Sequence, residues 1–174
     1  DEFMNITAGT NKLLKSEINI SDEFTGALVP IGGGKDSIVT LNVIKDDFAN
    51  NMCYVINPRG ATEETAETAG YGENKRCYVK RTLDKNMLEL NKQGYLNGHT
   101  PFSSIVAFSA LIVAYLNKKK YIVLSNEASA NEGNVEGLNI NHQYSKSFEF
   151  ERDFREYTMK YFTPYIEYFS ILRC

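Results

Sequence analysis

The sequence predicts an α/β fold: a doubly wound, mainly parallel, five-stranded sheet with helices on both faces. Three observations carry this expectation. Short apolar runs alternate with helix-patterned segments from about residue 26 onward. The apolar runs show no in–out alternation, as expected of strands covered on both faces. A glycine cluster lies between the first apolar run and the first helix, where sheets of this class open a ligand crevice.

The elements follow in order. Asp1-Glu2-Phe3 precedes Met4 and reads as a vector remnant, and residues 1–25 form a polar extension with a short helix expected over Lys12–Ile18. Ala27–Ile31 reads as the first strand. A helix from Asp36 is expected to bury Ile38, Val39, Leu41, Val43 and Ile44. Met52–Asn57 is a second strand, ended by Pro58 and Gly60. Thr62 is expected to cap the next helix, with Glu63 and Glu64 in its first turn facing the exposed amides. Cys77–Thr82 reads as the third strand. Asp84 caps the helix carrying Met87, Leu88 and Leu90, and Gly94 stops it. Asn97-Gly98 marks a turn, and Thr100-Pro101 signals the start of a long apolar helix over 102–116. Its all-round apolar character suggests a helix enclosed on several sides. Tyr121–Asn126 is the fourth strand. After a polar loop at 127–144, Phe154, Tyr157 and Tyr161 recur at helical spacing, with Glu151 and Arg155 as an i,i+4 pair. Tyr165–Leu172 is the expected fifth strand, so residues 26–174 form one domain.

Composition bounds the class. The 174 residues suffice for one domain with a sizeable core. Hydrophobic content of 43% and charged content of 24% are those of an ordinary globular chain. A net charge of −3 argues against nucleic-acid binding, which concentrates Lys and Arg. Three widely spaced cysteines, Cys53, Cys77 and Cys174, include no C-x-x-C pair and suggest a reduced, cytoplasmic setting. The apolar run at 102–116 holds fifteen residues, three of them serines, against the roughly 20 apolar residues a membrane span needs.

Gly32-Gly33-Gly34-Lys35-Asp36-Ser37 is the chemical centre. Glycines bring successive N–H groups against an anion with no Cβ in the way, and the following helix aims its positive end at the same place. The G-x-x-x-x-G-K-[ST] pattern fails because Asp36 follows Lys35, and G-x-G-x-x-G fails because no later glycine completes it. The loop resembles the PP-loop of ATP pyrophosphatases, S-G-G-x-D-S, matched by Gly33, Gly34, Asp36 and Ser37 and departed from at Gly32. The resemblance implies an adenine nucleotide alpha hydrolase-like fold that cleaves ATP at the α–β bond.

Longer blocks extend it. Leu28–Ser37, Gly94–Ser103, Leu124–Glu132 and Asn141–Glu151 resemble the MurL family of ATP-dependent epimerases of peptidoglycan precursor synthesis. This resemblance implies ATP and magnesium as cofactors. The implied substrate is a UDP-linked muramoyl dipeptide whose terminal L-glutamate is inverted to D-glutamate. It also implies that the chain is the C-terminal catalytic portion of a longer protein. Amide-forming or tRNA-modifying PP-loop activities, and a non-catalytic nucleotide-binding module, stand as alternatives.

Other residues have candidate roles. Asn57, at the end of the second strand, either meets an adenine edge or ends the strand. Ser125, Asn126 and Glu127 leave the fourth strand, to hold ribose, magnesium or substrate or simply to turn the chain. Asp36 and Glu132 are magnesium candidates. His142, with an unperturbed pKa near 6.5, is an acid–base candidate, and Lys146 and Glu127 complete the candidate catalytic set. Lys146 is a candidate for neutralising triphosphate, and His99 is read as structural. Glu149, Glu151, Arg152, Asp153 and Arg155 read as a solvated helix face.

Overall fold

The computed structural model of the chain describes residues 23–96, 101–131 and 144–173. Among these residues ten helices and strands run in the order β1 (Ala27–Pro30), α1 (Lys35–Val43), β2 (Met52–Ile56), α2 (Gly60–Thr68), β3 (Arg76–Val79), α3 (Lys85–Lys92), α4 (Phe102–Leu116), β4 (Tyr121–Leu124), α5 (Phe148–Tyr161) and β5 (Glu167–Ser170). The five strands form one sheet in the order β3-β2-β1-β4-β5, and every neighbouring pair is parallel. The expected doubly wound parallel sheet is therefore what forms. Each strand ends one to three residues before the expected run does, as the chain turns into the loops at the sheet's carboxyl edge; β3 begins one residue earlier, at Arg76, and β5 two residues later, at Glu167.

The sheet splits the core into two layers. On one face Leu28, Tyr54, Ile122, Leu124 and Tyr168 pack with Ala107, Ala110, Leu111 and Ala114 of α4 and Phe154 of α5. On the other, Val29, Cys53, Val55 and Val123 pack with Leu41 of α1 and Ala66 of α2. Alternate residues of one strand thus serve opposite layers, which is why the strands read as apolar throughout. Burial pushes the Cys53 thiol up to about 12 despite the nearby Arg76 and Lys75, so it stays a neutral packing group.

Several local expectations are corrected. In α1 the buried residues are Ser37, Thr40 and Leu41, whereas Val39 and Val43 are about half exposed. Thr62 is not the cap of α2. It occupies the third helical position, where its Oγ1 accepts from the Arg59 N–H (3.0 Å) and donates to the Arg59 carbonyl (2.7 Å). The long helix α4 is not enclosed: its small residues meet the sheet and the half-exposed Phe108 packs edge-on against Phe154 and Tyr157 of α5, while Ile112 and Leu116 face outward. Among the described residues no helix is long and apolar enough to cross a membrane. Pro101 precedes the first helical residue, and Thr100 and Asn97-Gly98 lie outside the described residues. Glu151 does not sit on a solvated face paired with Arg155; it is buried and paired with Arg173 at 3.2 Å. Asp84 does cap α3, accepting from Asn86 and Met87 N–H, and Gly94 closes it with φ +89°. The expected helix at Lys12–Ile18, and Cys174, also lie outside the described residues.

Candidate functional site

Chain direction creates the site. From β1 the chain passes through α1 on one face, whereas the crossover that enters β4 runs through α4 on the other. The connections diverge at the β1–β4 boundary, and a crevice opens outside the carboxyl ends of the strands. A cleft of about 660 Å³ lies there.

The glycine loop forms its floor. Ile31 is buried and its N–H donates to the Tyr54 carbonyl (2.9 Å), which fixes the point where the chain leaves the sheet. The Gly32 N–H donates to Ser37 Oγ (3.2 Å), and the Ser37 N–H to the Gly34 carbonyl (3.2 Å). Gly33 adopts φ +83°, and a Cβ there would stand 3.0 Å from the Ala61 carbonyl carbon, so the turn backs onto the start of α2. At Gly32 and Gly34 a Cβ would meet nothing within 4 Å. Among the described residues no acceptor takes the N–H groups of Gly33, Gly34, Lys35 or Asp36. They are the open donors of a helix start, and the α1 dipole adds positive potential to them. Open space, unspent donors and flanking cations suit a phosphate chain.

The walls come from the neighbouring strand ends. On the β2–β3 side stand Asn57, Arg59 and Arg81, with Phe102 of α4 under the Arg81 guanidinium at 5.4 Å. Asn57 has φ +48°; its amide donates to the Arg81 carbonyl (2.9 Å) and accepts from the Arg81 N–H (2.8 Å). Its side chain therefore pins Arg81 in place. Tyr54 contributes a hydroxyl paired with Ser109 Oγ (2.6 Å); burial raises its pKa and the Ser109 bond offsets part of that rise, so it remains a neutral hydrogen-bonding group. On the β4–β5 side stand Ser125, Asn126 and Lys146. Ser125 Oγ accepts from Thr40 Oγ1 (2.8 Å), tying α1 to the end of β4, and Asn126 donates to Ser170 Oγ (3.1 Å), tying β4 to β5.

Of the residues singled out from the sequence, Gly32, Gly34, Asp36, Ser37, Asn57, Ser125, Asn126 and Lys146 converge on the cleft. Gly33 supports the turn from behind. Lys35 and Glu127 are exposed and outside the lining, with Glu127 accepting from Ser129 Oγ (3.3 Å). His142, His99 and Glu132 lie outside the described residues. Asp36 stands in the lining, but no group of three His, Cys, Asp or Glu able to hold a metal occurs among the described residues. Sequence reasoning missed Arg59, Arg81 and Phe102. The available signal was position: both arginines lie two or three residues past a strand's carboxyl end.

Residues 3–171, nearly the whole chain, match the family model described as the MurL N-terminal domain. The chain belongs to the MurL N-terminal domain family. Two relatives carry the name UDP-N-acetyl-alpha-D-muramoyl-L-alanyl-L-glutamate epimerase. That of Xanthomonas oryzae pv. oryzae is 34% identical over 149 residues, covering 84% of this chain and 32% of the relative. That of Salinispora tropica is 34% identical over 148 residues, with the same coverage of both chains. The chain thus spans about a third of the length of these relatives. A solved structure titled as a predicted subunit of tRNA methyltransferase, from Methanocaldococcus jannaschii, is 19% identical, covers 86% of this chain and 68% of its own, and aligns with a TM-score of 0.46.

The MurL resemblance seen in the sequence is thereby shown. The portion is not the one that resemblance implied, since the matching family model describes an N-terminal domain rather than a C-terminal one. Within this MurL domain Gly32 stands where the PP-loop pattern carries serine. Ser37 reaches back to the Gly32 N–H, so one hydroxyl braces the loop.

Proposed function

We propose that this domain binds Mg–ATP, with the phosphate chain on Gly32–Ser37. In the longer protein it would serve an ATP-dependent epimerase that inverts the terminal L-glutamate of UDP-N-acetylmuramoyl-L-alanyl-L-glutamate. The observation that carries this reading is the run of unspent N–H donors from Gly33 to Asp36 at the start of α1, of which Gly34 and Asp36 line the cleft at the sheet's switch point. The relatives' names supply the substrate.

The chemistry requires activation. A proton beside a carboxylate is very weakly acidic, because its removal places a second negative charge next to the first. ATP supplies the remedy: transfer of AMP to the carboxylate with loss of pyrophosphate turns it into an anhydride that can delocalise that charge. This chain's part is to orient and neutralise. The loop amides would hold the phosphate oxygens, Arg59 and Arg81 would add charge from one wall and Lys146 from the other, and Asp36, in the lining, would be the carboxylate available to magnesium. Inversion also needs a base on one face and an acid on the other, each worth about 10²–10⁴-fold. Lys146, in the cleft lining, is one candidate, and His142 and Glu127 remain candidates from sequence.

The test uses the longer protein with ATP, magnesium and the UDP-linked dipeptide. The expected products are AMP, pyrophosphate and D-glutamate on chiral analysis. ADP with phosphate would overturn the adenylation step, and a new amide with unchanged L-glutamate would move the reading to a ligase.

A further inference from the structure

We infer that the buried Glu151–Arg173 ion pair positions Lys146 at the phosphate cleft, an inference that rests on the nucleotide reading above. Glu151 lies in a charge-rich stretch whose members Glu149, Arg152, Asp153 and Arg155 are exposed. Its own side chain is only 5% exposed, and that of Arg173 only 9%. Arg173 follows β5, in the short turn Ile171–Arg173. Its Nε donates to Glu151 Oε2 at 3.2 Å, and its guanidinium also donates to the carbonyl of Lys146. Lys146 ends the turn Tyr144–Lys146 and directly precedes Ser147, the cap of α5. One guanidinium thus joins the end of β5, the first turns of α5 and the turn that carries the cleft lysine.

Stability alone gives a poor account of this arrangement. Taking two charges out of water is costly, and an apolar pair of similar volume often does as well or better. A guanidinium offers something an apolar group cannot, a rigid planar fork with fixed donor directions. Here one arm takes the carboxylate and another the Lys146 carbonyl, so the buried anion fixes the fork and the fork fixes the turn. Lys146 then enters the cleft from the β5 side, while Arg59 and Arg81 enter from the β2–β3 side. Glu151 and Arg173 touch no cleft space themselves, so they act as positioning residues.

The experiment titrates Mg–ATP into the full chain by calorimetry. The variants are Lys146→Ala, the double variant Glu151→Met with Arg173→Leu, and the triple combination, with each melting temperature recorded. Lys146→Ala is expected to weaken binding roughly tenfold, the scale of one lost charge contact. The double variant should melt close to the wild type and weaken binding about as much, and the triple variant should bind no more weakly than Lys146→Ala, because residues acting through one another do not add. Wild-type affinity in the double variant, unchanged affinity in Lys146→Ala, or effects that multiply in the triple variant would each overturn the inference. Should the double variant fail to fold, Arg173→Lys decides: it keeps the charge opposite Glu151 but loses the fork, so binding should weaken while melting changes little, and unchanged binding overturns the inference. A wild-type chain that binds no Mg–ATP sinks the nucleotide reading and this one together. Wild-type binding that Lys146→Ala weakens and the double variant does not removes the positioning role alone.

Discussion

Gly33 and Gly34 are adjacent but answer to different constraints. Gly33 has φ +83° and its missing Cβ would press on Ala61, so the fold itself needs a glycine there. Gly34 has φ −100° and ψ 172°, which any residue adopts, and its missing Cβ faces empty space. Gly33→Ala should therefore destabilise the domain by roughly 1–2 kcal/mol in urea unfolding. Gly34→Ala should stay within about 0.5 kcal/mol of wild type. On the proposed nucleotide reading its methyl group would instead stand where phosphate oxygens would approach, lowering Mg–ATP affinity about tenfold, or about 1.4 kcal/mol, in calorimetry. The loop was legible in the sequence because glycine and strand–helix context announce it. The division of labour within it was not, since φ is a property of the folded chain. Arg59 and Arg81 escaped for a related reason: a basic residue in a loop looks solvated until the strand ends beside it are known to meet.

Helices α1 and α5 show how a site bends the ordinary pattern. Apolar spacing assigned Val39 and Val43 to the buried face of α1, yet Thr40 and Ser37 are buried in their place. The reason is the cleft: Ser37 braces Gly32, and Thr40 holds Ser125 across the switch point. In α5, Ser147 accepts from the Phe150 N–H (3.1 Å) and caps the helix beside the cleft. Ser147→Ala should cost about 1 kcal/mol, within the 0.5–2 kcal/mol range of lost caps, as read by urea unfolding, with faster amide exchange in the first turn of α5. The Glu151–Arg155 expectation failed because i,i+4 spacing sees only one helix, while Arg173 arrives from another element 22 residues away.

At the scale of the whole molecule, alternation of strands and helices was enough to predict a parallel doubly wound sheet, because right-handed crossovers leave few other arrangements. The strand order was not legible: nothing in the periodicity says that β4 returns to the far side of β1 instead of extending the sheet beyond β3. That return divides the chain into two halves, β1–β3 and β4–β5, each contiguous in sequence. They meet along the Ala27–Tyr121 and Leu28–Ile122 register, under α4, and through the Thr40–Ser125 bond. The glycine loop belongs to the first half, Ser125, Asn126 and Lys146 to the second, and the cleft bridges both.

A chain severed between Leu96 and Pro101 should consequently behave as two complementary fragments that recombine on mixing. Since nucleotide would touch both, it should act as a clasp, raising the yield of recombined heterodimer in analytical ultracentrifugation. By mass action, ligand at a hundred times its dissociation constant adds about 2.7 kcal/mol to the assembled form. Equal recombination with and without Mg–ATP would mean that the cleft does not draw the halves together.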